Sequence, residues 1–372
     1  MRPIIADELV RDDALAALSR YSLLQMGDEG QWGMHQLVQA VYRDQMGEAE
    51  AREWIVAVGQ WLAKVYQFDY YEMETWPAAV RLLPHLQAAV ALAEQWGVEH
   101  EEIRGLINMV GLYLQHDGQL QEARVYYERH LALTEKMWGA EHLAMATSLH
   151  NMGNLLENMG ELAEARPYTE RALAIYEKEF GAEHLDLAPT LHSMGGLLES
   201  MGELAEARPY VERALAIHEK ELGPDHPATA TSLNNMAVLL NNMGELAEAR
   251  PYYERALAIY ERELGAEHPS TAATLSGLSI LLQEMGELAE ARPYAERSLA
   301  IREKVLGAEH PETANSLNNL AVVLAYLEEY PEAVRLMRRA VAIREEKLGS
   351  DHPQTEASRE NLAAMEADLG EL

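Results

Sequence analysis

Hydrophobic residues in the second half of the chain are spaced as on one face of an α-helix, in segments that come in pairs. Leu233, Met236 and Leu240 are separated by three and four residues, and Ala249 and Ala256 by seven in the segment that follows. Since an α-helix has about 3.6 residues per turn, each set lies on one side of its helix. The pattern therefore predicts two amphipathic helices, called helix A and helix B below.

Proline and glycine mark the ends of these two helices. Pro227 opens helix A, because a missing N–H costs nothing in the first turn, and helix A is expected to run to about Met243. Gly244 suits the left-handed conformation that often ends a helix. Helix B then begins near Glu245 and ends before Gly265. The short connection makes the two helices antiparallel.

This helix pair is one unit of a 42-residue repeat. The string GELAEAR recurs at that step, beginning at Gly160, Gly202, Gly244 and Gly286. A glycine followed three residues later by histidine recurs at the same step, at Gly97, Gly139, Gly181, Gly223, Gly265, Gly307 and Gly349. A period of this length indicates an array of stacked units. In this phase, Gly370 to Leu372 fall at the start of a further helix B.

Small residues recur where the helices of this array must approach closely. In helix A they are Gly153, Gly195, Ala237, Ser279 and Ala321. A larger side chain at any of these positions is expected to overpack the contact between helices and to cost about 1–3 kcal/mol.

The small and large positions resemble the tetratricopeptide repeat. The 42-residue length and phrases such as TSLNNMAVLLNNMGELAEARPYYERALAIYERELGAEHP, residues 231–269, look like the subclass found in kinesin light chains. The resemblance covers about residues 97–369. It implies an all-α fold, a right-handed superhelical solenoid of antiparallel helix pairs, with helix A lining the concave face.

The first hundred residues have a different character. Residues 14–46 predict a helix, a strand, a glycine-rich turn that suits a hairpin or wing at Gly27–Gly33, and a second helix. The phrase YSL…HQLVQ…R resembles the winged-helix segment of NB-ARC modules in STAND signalling ATPases, and residues 76–97 look like the helical stretch that follows it. No G-x-x-x-x-G-K-[ST] motif is present, so no nucleotide-binding core is expected. Both ends of the chain suggest an excerpt of a larger protein.

These observations predict three parts. A winged-helix-like segment occupies residues 1–48 and a helical connector or degenerate repeat occupies residues 49–97. The repeat array, with six full repeats and a partial seventh, occupies residues 98–372.

Charge and composition limit the partners. The net charge of −31 argues against nucleic acid and against acidic membrane surfaces, since phosphate binding needs a basic stripe. The chain has no cysteine, no secretory signal and no apolar run long enough to cross a membrane, which favours a cytoplasmic protein.

Polar residues on helix A are the candidate ligand-binding groove, most of them opposite its hydrophobic face and three, Asn151, Asn235 and Asn319, at the groove edge. The set is Asn108, His150, Asn151, Asn154, His192, Asn234, Asn235, Asn241, Gln283, Asn318 and Asn319. Such side chains can hydrogen-bond the backbone of an extended peptide, or they can brace neighbouring helices. Because these positions hold no Lys or Arg while Glu157 and Glu199 lie beside them, a neutral or basic ligand is expected rather than an acidic one.

No residue pattern predicts catalysis, a cofactor or a metal site. One loop histidine occurs per repeat, from His100 to His352, and neighbouring copies are too far apart to share a zinc ion, so capping of loops is expected. Two functions remain. The first is the ligand-sensing region of a bacterial STAND-type ATPase, and the second is a stand-alone adaptor like a kinesin light chain. A monomer is expected in either case.

Overall fold

The computed structural model describes residues 24–26, 32–34, 47–66, 75–350 and 352–371. The contacts between Cα atoms divide the chain into two compact units, Met1–Val110 and Gly111–Leu372. Each unit is described separately below.

The described residues of the first unit include a pair of short strands and two complete helices. The strands β1 (Leu24–Met26) and β2 (Trp32–Met34) pair antiparallel, with Gln25 opposite Gly33. This pair agrees with the hairpin predicted around Gly27–Gly33. The flanking helices of the predicted winged-helix segment lie outside the described residues.

The two helices of the first unit are α1 (Glu48–Val65) and α2 (Trp76–Gln95), and they pack on each other. A third helix, α3 (Glu101–His116), begins in this unit. Gly59 in α1 allows close approach, because a Cβ atom there would lie 3.2 Å from Ile103 Cδ1 in α3.

The second unit is a solenoid of helix pairs, as the repeat predicts. Its helices are α4 (Leu120–Trp138), α5 (Leu143–Asn158), α6 (Leu162–Phe180), α7 (Ala188–Ser200), α8 (Leu204–Glu221), α9 (Pro227–Asn242), α10 (Leu246–Glu263), α11 (Pro269–Glu284), α12 (Leu288–Val305), α13 (Pro311–Tyr326), α14 (Tyr330–Leu348) and α15 (Pro353–Glu371). A short 3-10 helix, Leu185–Leu187, precedes α7. Helices A are the odd-numbered ones from α5 to α15, and helices B are the even-numbered ones. No helix in the described part of the chain is long and apolar enough to cross a membrane.

The predicted glycine turn is confirmed between α9 and α10. Gly244 has φ +77°, and its N–H donates to the carbonyl oxygen of Asn241 at 2.9 Å. The N–H of Glu245 donates to the carbonyl oxygen of Leu240 at 2.8 Å. These two bonds satisfy the last carbonyl groups of α9 and reverse the chain into α10.

The small residues lie at the contacts between helices, as expected. A Cβ atom added at Gly153 would lie 2.5 Å from Thr169 Oγ1, and one added at Gly195 would lie 2.6 Å from Val211 Cγ2. Both distances are shorter than van der Waals contact. The helix pairs α5–α6 and α7–α8 therefore pack closely only because these positions lack side chains.

The predicted helix start after Gly370 is wrong. The last helix, α15, continues through Gly370 to Glu371, whereas the other helices A end earlier in the repeat. In those repeats the residues after the glycine fold back as helix B and pack on helix A. Gly370 does not have the positive φ of the equivalent turn glycines, so α15 continues through it without reversing the chain.

Candidate ligand-binding face

Helices α5, α7, α9, α11 and α13 form a continuous row, called the A face below. From α5 to α11, neighbouring members of the row are joined by side-chain hydrogen bonds between residues 40 or 43 positions apart. None of the five helices contains a lysine or an arginine, whereas every helix B of the second unit contains at least two basic residues. The A face is therefore polar and free of basic residues of its own.

One predicted row of groove residues connects successive helices A. His192 Nε2 lies 2.9 Å from Ser232 Oγ, and Thr274 Oγ1 donates to Asn234 Oδ1 at 3.1 Å. His150 Nδ1 lies 3.4 Å from Thr190 Oγ1 at the equivalent position. These three side chains are half-buried and brace the solenoid, which is one of the two roles considered from the sequence. Contact with a ligand stays a prediction for them.

Burial keeps the histidines of this row neutral. Burial, together with the nearby His218, lowers the pKa of His192 to about 4. Burial also lowers the pKa of His150. The rings of His192 and His218 meet edge to face at 5.5 Å, and His218 Nδ1 lies 2.7 Å from the same Ser232 hydroxyl. A neutral imidazole can donate and accept in this network at neutral pH.

Several predicted residues have side chains with unused hydrogen-bonding capacity. Within the described residues, no hydrogen bond is formed by the side chains of Asn235, Gln283, Asn318 and Asn319, which are all half-buried. The Oδ1 atom of Asn241 is buried and has no donor. Asn154 Nδ2 lies 3.1 Å from His150 Nε2, and Asn151 has a partner as well. Asn108 lies on α3 in the first unit, half-buried and also partnered.

Two glutamates on the A face have no basic partner among the residues that the structure describes. Ser200 Oγ donates to Glu157 Oε1 at 3.4 Å, and Asn242 Nδ2 donates to Glu199 Oε2 at 3.1 Å. Burial raises the pKa of Glu157, and burial together with the Glu157 charge raises the pKa of Glu199 to about 7. Both carboxylates are therefore half-buried without the opposite charge that would stabilise their ionised form.

Two arginines from helices B reach the C-terminal end of this face, which the sequence analysis missed. Arg302 is 8% exposed, and its Nη1 donates to Ser316 Oγ at 2.8 Å while its Nη2 lies 3.1 Å from Glu312 Oε2. Arg344 is 7% exposed and donates from Nη2 to Asn315 Oδ1 at 2.8 Å. The sequence shows this difference. Arg302 and Arg344 lie 42 and 84 residues after Tyr260, at the position of helix B that Tyr260 occupies in its own repeat.

Six of the seven loop histidines cap helices, as expected, whereas the Nδ1 atom of His100 lies against the Glu102 carboxylate instead. The Nδ1 atoms accept a hydrogen bond from the backbone N–H two residues later, at 3.1–3.3 Å, at His142, His184, His226, His268, His310 and His352. Each satisfies one of the free N–H groups in the first turn of its helix. Within the residues that the structure describes, no group of three or more His, Asp or Glu side chains is placed to hold a metal ion.

The repeat region matches one family model. A model described as tetratricopeptide repeat matches residues 101–178, 144–208, 186–242, 230–304, 281–346 and 312–372. Together these segments cover the chain from residue 101 to its last residue. Comparison with curated proteins gives no match.

Solved structures with similar architecture come from several proteins. BtubC (BKLC) from P. vanneervenii is 22% identical, over 63% of this chain and 94% of that chain, with a TM-score of 0.52. A Rap protein complexed with competence and sporulation factor is 14% identical, over 90% of this chain and 92% of that one, with a TM-score of 0.55. A candidate kinesin light chain of Podosopora anserina with nearly identical TPR-like repeats is 29% identical, over 55% and 98%, with a TM-score of 0.47. The first two share the fold of this chain.

Proposed function

This chain belongs to the tetratricopeptide repeat family, and on that premise we propose that it is a scaffold whose A face binds an extended segment of a partner protein. The observation that carries the proposal is the set of half-buried amide side chains without hydrogen bonds, Asn235, Gln283, Asn318 and Asn319, on consecutive helices A. Polar groups held in place but unsatisfied favour a ligand that supplies their partners.

An extended peptide fits this arrangement well. Its backbone offers a donor and an acceptor at every residue, and primary amides can bond to both. Half-buried apolar residues, Val238, Ile280 and Val322, alternate with the amides along the face and can hold side chains of the segment. The Rap protein of similar fold was solved with a bound factor, which supports a binding role for this architecture.

The charge of the A face favours neutral or basic partners over acidic ones. Within the described residues, Glu157 and Glu199 form no ion pair and receive only neutral donors, and the helices A from α5 to α13 contain no lysine or arginine. Nucleic acid is disfavoured by the net charge of −31. We propose binding without catalysis or cofactor by a monomeric chain in the cytoplasm.

Selection of random dodecapeptides displayed on phage tests the A face. Peptides selected on the wild-type chain should bind the variant carrying Asn318→Ala and Gln283→Ala at least about tenfold more weakly. Neither side chain forms a hydrogen bond, so the melting temperature should not change. The control carries Glu122→Gln and Glu179→Gln, two exposed carboxylates on helices B. Selected peptides that bind the Ala variant with unchanged affinity would place the binding site elsewhere.

For the biological setting, we propose the ligand-sensing region of a bacterial STAND-type signalling ATPase, in which ligand binding biases a nucleotide-dependent switch. The resemblance of residues 8–97 to the winged-helix segment supports it, and so does the antiparallel pair of β1 and β2 where the hairpin was predicted. The alternative is a stand-alone adaptor like a kinesin light chain. The reading frame upstream of Met1 distinguishes them: a Walker-type nucleotide-binding domain there supports the first, and a native start codon supports the second.

A further inference from the structure

The A face carries two neighbouring glutamates where α5, α7 and α9 meet. Glu157 and Glu199 occupy equivalent positions on α5 and α7, and the charge of Glu157 acts on Glu199. Within the described residues, no lysine, arginine or histidine lies within ion-pair distance of either carboxylate. By contrast, Arg250 on the helix-B side of the solenoid pairs with three glutamates.

The space beside this pair of carboxylates is open. Gly196 on α7 is half-buried and stands where the other repeats have Asn154, Val238, Ile280 and Val322. A Cβ atom added at Gly196 would lie 3.6 Å from Glu157 Oε1, at ordinary contact distance. The absent side chain therefore leaves room next to the carboxylate rather than relieving a clash.

In the described part of the chain, the two carboxylates accept hydrogen bonds from neutral donors only. Each receives one hydrogen bond from the next helix A, from Ser200 to Glu157 and from Asn242 to Glu199. A carboxylate has about four acceptor sites, so most of the capacity of the pair is unused. The next position of the same row is Asn241, whose Oδ1 has no donor. The row Glu157, Glu199, Asn241 thus has more acceptor sites than the protein supplies donors for.

We propose that Glu157 and Glu199 form a subsite for a basic side chain, an arginine above all, of the extended segment bound on the A face. The planar guanidinium has five N–H donors and can bridge two carboxylates, whereas lysine offers a single ammonium centre. The subsite rests on the proposed peptide-binding function and assigns to it a specific charge preference at α5–α7. The open position at Gly196 gives the side chain access.

Fluorescence anisotropy with defined peptides tests the subsite. The probes are a fluorescein-labelled decapeptide of Gly, Ala and Ser with two central arginines and the same peptide with two citrullines, which keep the shape and lose the charge. At physiological ionic strength, the wild-type chain should bind the arginine peptide at least about tenfold more tightly. The variant with Glu157→Gln and Glu199→Gln should lose this preference.

Two further variants separate a specific subsite from general attraction to an acidic protein. The Glu122→Gln, Glu179→Gln control removes the same net charge from helices B and should keep the preference. Gly196→Val introduces the residue found at Val238 and should weaken the arginine peptide without lowering the melting temperature. Loss of the preference in the control, or full binding by the Gly196→Val and Glu-to-Gln variants, would overturn the subsite.

The pH profile gives an independent readout. The groups facing Glu199 are Glu157 on α5, Asn242 on α9 and Tyr253 on α10. With the pKa of Glu199 raised to about 7, the carboxylate ionises as the pH rises from about 6 to about 8, and binding of the arginine peptide should strengthen over that range. The citrulline peptide should show no such change.

Failure of the subsite and failure of the scaffold are distinguishable. If both peptides bind equally to the wild-type chain, and Asn318→Ala with Gln283→Ala weakens both, the A face binds peptides but has no basic subsite. If neither peptide binds at millimolar concentration, the subsite is refuted, while the phage selection still decides on the scaffold.

Discussion

At the scale of single residues, Glu328 shows that the turn of this repeat requires a residue with positive φ. It has φ +64° and is the one non-glycine residue with positive φ in the described part of the chain. Equivalent positions hold Gly118, Gly160, Gly202, Gly244 and Gly286, all with φ between +75° and +79°. The turn hydrogen bonds are kept, since the N–H of Glu329 donates to the carbonyl oxygen of Leu324 at 2.9 Å. The packing of the two helices thus sets the backbone of the turn, and Glu328 adopts the left-handed conformation despite its strain.

Replacing Glu328 with glycine should stabilise the protein. A left-handed conformation costs a residue with a Cβ atom about 1–2 kcal/mol, and glycine removes this cost. Part of the gain is offset, because glycine makes the unfolded chain more flexible. We expect Glu328→Gly to raise the free energy of unfolding by about 0.5–1 kcal/mol in urea titrations. Glu328→Ala is the control, because alanine removes the carboxylate and keeps the Cβ atom. Equal stabilisation by both variants would show that charge, not backbone strain, was relieved.

At the scale of helices, the contact within each pair depends on complementary side-chain sizes. Gly195 on α7 faces Val211 on α8, and Gly153 on α5 faces Thr169 on α6. The residue on helix B at this position varies from Ala295 to Tyr253 along the array, and all of these are buried. In each helix pair, the sizes of the two facing residues are therefore matched to each other. A single large substitution at one of the small positions should consequently not be tolerated.

The variant Gly195→Ala should destabilise the chain by about 1–3 kcal/mol, because its Cβ atom meets the stiff, β-branched Val211. The adjacent Gly196→Ala is a matched control in the same helix. Its Cβ atom meets only Glu157 Oε1, at 3.6 Å, and the gain in helix propensity should leave stability unchanged or higher.

A double-mutant cycle identifies the clash as the cause. Adding Val211→Ala to Gly195→Ala should recover part of the lost stability, measured as the free energy of unfolding. A purely additive double variant would mean that Gly195 is required for a reason other than contact with Val211.

At the scale of the whole second unit, a ladder of ion pairs runs along the helices B. Arg250 lies 2.8 Å from Glu254 on its own helix, 2.8 Å from Glu287 and 2.6 Å from Glu290 of the next repeat. The same pattern recurs at Arg124, Arg166 and Arg208, and in reduced form at Arg292. Since each unit of a solenoid contacts only its neighbours, these pairs add to every interface between repeats.

The number of ion pairs that an arginine forms should determine how much it contributes to the free energy of unfolding. Arg250→Gln removes three ion pairs and is expected to lower the free energy of unfolding by roughly 0.5–1 kcal/mol, because exposed pairs contribute little individually. Arg292→Gln removes two pairs, to Glu296 and Glu329, and should cost less.

Salt supplies the control for this comparison. The difference between each variant and the wild type should shrink at about 1 M NaCl, where the Debye length is about 3 Å. The difference is the relevant quantity, since salt also screens the repulsion within a chain of net charge −31. A difference that is independent of salt would indicate lost packing of the arginine stem instead.

The sequence by itself determined the repeat, the fold class and the ends of most helices. Pro227 and Gly244 act through local backbone geometry, which a residue carries wherever it stands in the chain. The capping role of the loop histidines was also accessible, because the hydrogen bond of His226 to the N–H of Ala228 spans only two residues. The continuation of α15 through Gly370 was missed, since a glycine ends a helix only where the following segment packs back.

Only the tertiary structure decided which polar residues already form hydrogen bonds within the protein. His192 and Asn234 find their partners, Ser232 and Thr274, on the next helix A, 40 residues away, so no local pattern separates them from the unpartnered Asn318. The lack of an ion pair at Glu157 and Glu199, among the described residues, likewise depends on which side chains the packed helices bring near them. Hydrogen bonds and charge pairs between distant segments are fixed by the packing of whole helices, and that packing is a property of the assembled array.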